Sequence, residues 1–191
     1  MVNKNSPFLF YTPIQEKSQS MFFVYLILSV FAQTDVSGTY ILQTPMTEIE
    51  TQKKNALEKT VQSADWLYQI PLQMRLKDKP HICSTYVFEK KKSFFYVTCD
   101  NLDPLKIPMS GKKERIQRNI NGQIDEIEVL FYHNKNMAYE IFSGQGSMYI
   151  EIRPADSDST SQPQTITVSK AIKSSYFMVP YVVEMNYVLS P

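Results

Sequence analysis

The chain has 191 residues, enough for one domain with a sizeable core and short for two. A hydrophobic share of 43% with 13% aromatics fits a globular protein and argues against disorder. The formal net charge is +1, so no basic excess exists to hold a phosphate backbone, and nucleic acid is not an expected partner.

The first element in chain order is an uncharged apolar run from Met21 to Ala32, behind a polar leader. A spanning helix needs roughly 20 apolar residues, whereas a secretory apolar region needs about 7–15. The run has twelve. Lys17 precedes it, and Val30-Phe31-Ala32 places small side chains at the first and third positions, as a signal peptidase requires. Residues 1–32 therefore read as a leader and signal peptide cut after Ala32, with Met1 or Met21 as the start. This implies a secreted protein with no membrane span in the mature chain. A buried core segment and an uncleaved anchor are the alternatives. Cleavage removes Lys4, Glu16 and Lys17, and leaves 33–191 with equal numbers of acidic and basic side chains. A chain of zero net charge exerts no long-range steering on a charged partner.

Residues 33–191 read as a single β domain whose first strand starts near Gly38-Thr39-Tyr40. MTEIETQKKNALEKTVQS, 46–63, is polar and rich in helix formers, and predicts a helical turn or a long covering loop. In WLYQIPLQMRL, 66–76, Trp66, Tyr68, Ile70, Leu72, Met74 and Leu76 take every second position. That period predicts a strand, with a bulge or bend at Pro71, which cannot donate to a ladder.

Two apolar runs then flank Lys90-Lys91-Lys92. If that triplet is the loop, Cys83 faces Cys99, Tyr86 faces Tyr96 and Phe88 faces Phe94. Two opposed cysteines suit a disulfide in an oxidising compartment, with buried free thiols as the alternative. Asn121-Gly122 is a strong hairpin signal, pairing Arg118 with Asp125, Ile116 with Ile127 and Arg115 with Glu128. A loop at 134–136 pairs Phe131 with Tyr139, and a turn at Gly144-Gln145 pairs Tyr139 with Ile150 and Met137 with Ile152. One apolar face persists across these turns, from Ile127 to Ile152. A polar loop follows at 154–163, then further strands in TITVSK and YFMVPYVVEMNYVL.

About eight strands fall between Thr39 and Arg153, in up-and-down order. A sheet of that size with a continuous apolar face closes on itself or stacks. The expected fold is an all-β, antiparallel up-and-down barrel with extra C-terminal strands. Its interior is either filled by side chains or hollow enough for one small ligand.

Gly38-Thr39-Tyr40, soon after a signal peptide, and Arg153 at the end of MYIEIR resemble two marks of the lipocalins and the wider calycin superfamily. That family opens its first strand with Gly-x-Trp and packs a late arginine over the aromatic. The resemblance implies structural roles for Gly38, Tyr40 and Arg153, with a cation–aromatic contact between the last two. This chain has Tyr for Trp, lacks the Thr-Asp motif in HNKNMAYE, and carries strands where the family carries a helix.

No nucleophile elbow, phosphate loop or HExxH is present, so no enzymatic activity or cofactor is expected. His81, Cys83 and Cys99 lack a fourth ligand at a recognisable spacing, so no metal site is expected either. The interior face is aromatic and rich in methionine, which suits an irregular apolar cavity. The expected function is secreted binding of a small hydrophobic ligand, lined by Tyr68, Leu72, Tyr86, Tyr96, Phe131, Tyr139 and Ile150. The alternative is a secreted structural or adhesive protein with a solid core.

Overall fold

The computed structural model describes residues 35–120, 123–133, 136–155 and 162–191. The leader and signal peptide expected over 1–32, the Asn121-Gly122 dipeptide and the middle of the 154–163 loop lie outside the described residues, as do the side chains of Ile120 and His133.

Ten strands and two helices follow one another as β1 (Gly38–Leu42), α1 (Met46–Gln62), α2 (Trp66–Leu76), β2 (Thr85–Lys91), β3 (Phe94–Cys99), β4 (Leu105–Pro108), β5 (Glu114–Ile120), β6 (Gln123–His133), β7 (Met137–Ser143), β8 (Gly146–Pro154), β9 (Thr165–Ser174) and β10 (Tyr181–Leu189). They form one antiparallel sheet in the order β4-β3-β2-β1-β10-β9-β8-β7-β6-β5. The two edge strands come round to meet, β4 lying against β5 and β6, so the sheet is a nearly closed barrel. No described helix is long and apolar enough to cross a membrane.

The turns from β5 to β8 follow the sequence closely. Arg118 pairs with Asp125, Ile116 with Ile127, Phe131 with Tyr139, Tyr139 with Ile150 and Met137 with Ile152. Val129, Phe131, Met137, Tyr139, Ile150 and Ile152 are all buried, as one shared inner face requires.

Four expectations need correction. The first is 66–76, which is helix α2 rather than a strand. Asp65 caps it, its carboxylate accepting from the Leu67 N–H at 3.2 Å. Leu72 and Leu76, four apart on one face, are buried, while Trp66, Ile70 and Met74 are 71–76% exposed. The alternation of apolar residues thus had no sheet to face. Pro71 is accommodated inside the helix.

The second correction is the register of β2 and β3. The turn falls on Lys92-Ser93, with Lys92 at φ 46°, so Tyr86 faces Cys99 and Phe88 faces Val97. This is a shift of three residues from the expected pairing, and an odd shift turns a strand over. Phe95 and Val97 point inward, and Tyr96 sits outside, opposite Glu89 with the Lys91 ammonium 5.5 Å from its ring centre. The disulfide Cys83–Cys99 forms nonetheless, with Cα atoms 5.3 Å apart, because Cys83 lies just before β2 rather than opposite Cys99.

Thirdly, the C-terminal strands are not additions to a closed eight-stranded barrel. β10 inserts between β1 and β9, with Tyr40 opposite Leu189 and Met185 opposite Val168. The short strand β4, which no period in the sequence marks, forms an edge instead. Eight strands do lie between Gly38 and Pro154, but β4 takes the place expected of 66–76.

Fourthly, Arg153 does not cover Tyr40. It points outward from β8 and pairs with Glu184 on β10 at 2.5 Å. Tyr40 is fully buried, with its ring 5.9 Å from Phe88 and its hydroxyl donating to the Pro163 carbonyl at 3.1 Å.

The first connection is α1, longer than a helical turn. It packs on β10, buries Ile49, and accepts the Glu184 N–H on Gln52 Oε1 at 3.0 Å. Gly38 opens β1 at φ 146°, where an L side chain is strained, and a Cβ there would run into Gln162 and Leu189. Gly38→Ala should lower stability by about 1–3 kcal/mol, read from the urea midpoint. An unchanged midpoint would show that this glycine is dispensable.

Candidate functional site

The barrel interior is divided along its axis. One end is packed solid by Tyr40, Phe88, Phe95 and Phe131, whose rings form a chain with centres 5.8–5.9 Å apart. All four are essentially inaccessible. One step along the same strands the interior is hollow. A cavity of about 400 Å³ opens there, walled by Tyr86 on β2, Val97 on β3, Tyr139 and Ile141 on β7, and Met148 and Ile150 on β8. The disulfide Cys83–Cys99 and the 101–105 segment complete its rim.

Two cations intrude on this apolar lining. Lys170 follows Ile166 and Val168 on the inward phase of β9, and is 5% exposed. Its Nζ donates to the His81 carbonyl at 2.5 Å, and lies 3.7 Å from Cys83 Sγ and 5.4 Å from the centre of the Tyr86 ring. Among the described residues no carboxylate forms an ion pair with it. Burial pulls its pKa from 10.5 down to about 8, against the opposing pull of Asp100. Arg118 shares its phase on β5 with Ile116 and also lines the cavity. Its Nε is buried with no hydrogen-bond partner among the described residues. Burial raises the pKa of Tyr86 and Tyr139 well above the usual phenol range, so both stay neutral.

The rim is held by local bonds. Asp100, at φ 53°, accepts the Thr85 N–H on Oδ1 at 2.9 Å, and its own N–H donates to the Thr85 carbonyl at 2.9 Å. Tyr187 donates to the Cys83 carbonyl at 2.8 Å, tying the segment before β2 to β10. Donor atoms of His81, Cys83, Cys99 and Asp100 all lie within 4.8 Å of one another. Both sulfurs are spent in the disulfide, which leaves His81 Nε2 and Asp100 Oδ2, 3.5 Å apart. Two donors do not make a structural metal centre.

Of the residues expected to line a cavity, Tyr86, Tyr139 and Ile150 do so. Phe131 belongs to the solid end, against Phe95. Tyr96 faces outward, Leu72 is buried on α2, and Tyr68 lies on the exposed side of α2 with its ring 5.0 Å from Tyr176. Lys170 and Arg118 were not foreseen as site residues. The signal was present: in TITVSKAI a lysine falls on the phase of Ile166, Val168 and Ile172, and in ERIQR an arginine falls on that of Ile116.

No protein-family model matches the chain, and no curated protein matches it. The nearly closed antiparallel barrel is compatible with a calycin-like fold.

A buried ammonium without a carboxylate partner costs the fold stability. Because the folded pKa lies below the unfolded one, the cost is full below about pH 8 and fades as pH rises toward 10.5. Lys170→Met should therefore stabilise the protein at pH 7 by on the order of 2 kcal/mol, after the lost bond to His81 is counted. The gap to wild type should narrow between pH 8 and 10. Paired urea titrations at pH 7 and 9.5 check both; a destabilised variant at pH 7 would refute the cost.

Proposed function

We propose that the protein is a secreted, lipocalin-like carrier of a small amphipathic ligand. The ligand's apolar body occupies the cavity against Tyr86, Tyr139, Met148 and Ile150, and its polar or anionic head turns toward Lys170 and Arg118. The observation that carries this is a hollow, largely apolar chamber with a buried cation beside its disulfide rim that no described carboxylate pairs. An interior meant only for stability gains nothing from a buried lysine, and the opposite end of this barrel is closed with aromatic rings instead. Export is supported by the apolar run from Met21 to Ala32 and by the disulfide, which suits an oxidising compartment.

A polarity-sensitive fatty-acid probe should bind with one site per chain. Ile150→Trp, which fills the chamber, should weaken binding by at least about ten-fold while the circular dichroism spectrum is retained. Equal binding by wild type and Ile150→Trp, or none by wild type, would remove the carrier reading.

A second reading, contact with a macromolecular partner, is favoured by a different feature. The aromatic C-terminal strand β10 turns Tyr181, Met185 and Tyr187 into the core. A group of exposed apolar side chains lies instead on α2 and the adjoining turn, where Trp66, Ile70, Met74 and Met178 are 71–87% exposed. Under this reading Trp66→Ser with Ile70→Ser abolishes self-association or surface adsorption and leaves probe binding untouched, as light scattering and the probe titration would show.

A further inference from the structure

We propose that Lys170 is a covalent capture site for apolar aldehydes, which enter the barrel cavity and form a reversible imine on its Nζ. The inference rests on the carrier reading in one respect, that the chamber admits an apolar chain. Three observations point to Lys170 rather than to lysines in general. Among the described residues its amine is the one lysine nitrogen on the cavity wall, beside the Tyr86 ring and the Cys83 sulfur. Its protein partner is a backbone carbonyl, not a carboxylate, so no ion pair of the described residues holds the proton on nitrogen. Tyr139, Met148 and Ile150, which line the same cavity, offer an apolar surface for a hydrocarbon tail. Lys173, three residues on along β9, is by contrast exposed and pairs with Glu140 at 3.6 Å.

The chemistry is a condensation that needs no oxidant or reductant. The neutral Nζ lone pair attacks the aldehyde carbon and forms a C–N bond. A proton passes from nitrogen to the former carbonyl oxygen, giving a carbinolamine. The C–O bond then breaks, oxygen leaves as water with a second proton from nitrogen, and a C=N bond remains. Hydrolysis reverses every step, so the captured aldehyde can be released. Attack requires the neutral amine, and an amine titrating at about 8 is about one-tenth neutral at pH 7. An ordinary lysine is neutral to less than about one part in a thousand there. Burial opposes the ammonium and Asp100 favours it, and Arg118, His81, Asp103, Tyr86 and Tyr139 are the other titratable groups at the cavity.

The test uses decanal and the intact, oxidised protein at pH 7, with borohydride added to trap the imine as a secondary amine. Intact mass should show one decyl group per chain, and peptide mapping should place it on Lys170, in preference to Lys173 by at least about ten-fold. Lys170→Arg keeps the cation and cannot form the imine, so it should lose the adduct, whereas Lys173→Arg should keep it. Adducts spread evenly over surface lysines, or an undiminished single adduct on Lys170→Arg, would overturn the assignment. The fatty-acid probe is titrated in parallel. Probe binding without an adduct at Lys170 removes the covalent inference alone, and failure of probe binding removes the carrier reading whatever the adduct shows.

Discussion

Every strand of a barrel must put alternate residues inside, and this two-residue alternation is the constraint on which the structure depends. It is enforced by the neighbours of each position. Lys170 faces inward because Ile166 and Val168 on its own strand do, and because Ile150 sits opposite it on β8 and Val183 on β10. Turning it out would require β9 to slip by one residue, which would expose Ile166 and Val168 together. The fold therefore holds a cation in its interior at an energetic cost, by making the alternative costlier.

A packed end and a hollow end are separated along the barrel axis. The stacked rings of Tyr40, Phe88, Phe95 and Phe131 concentrate apolar burial at one end. The insertion of β10 between β1 and β9 joins the start of the domain to its end. Tyr187 extends that seam to the cavity rim through the Cys83 carbonyl. The disulfide, Asp100 and the bonds to Thr85 then fix the rim without filling the chamber. A hollow end is tolerable because the solid end and the seam supply the packing that it lacks.

Much of this was legible in the sequence where turn chemistry and apolar phase agree. The meander from β5 to β8 has the registers that the Asn121-Gly122 and Gly144-Gln145 signals predict, with Ile120 opposite Gln123 and Ser143 opposite Gly146, and the apolar residues support them. Legibility failed where one signal stood alone. The alternation in 66–76 lacked a paired strand, and Asp65 with the Leu72 and Leu76 spacing was the better guide. The expected β2–β3 register rests on Lys90-Lys91-Lys92 as the loop, with the two cysteines opposed; a disulfide joins residues near in space without requiring them to face across a ladder, and in the observed register Tyr96 turns outward. That β10 pairs with β1 is a long-range fact that no local pattern carries. Of the cavity lining, Tyr86, Tyr139 and Ile150 follow from the apolar phase of their strands, whereas Lys170 and Arg118 are charged residues on inward positions that a purely apolar pattern does not mark.

Lys170 is a buried amine beside a hollow, largely apolar chamber. Its titration can be followed directly by heteronuclear NMR on protein labelled at the lysine ε-carbons, with Lys170→Arg to assign the resonance. A midpoint near pH 8 for Lys170, well below the value of about 10.4 for a free lysine side chain, is the predicted result. A Lys170 resonance with the free side chain's midpoint would place the amine in water and contradict a buried amine in the barrel interior.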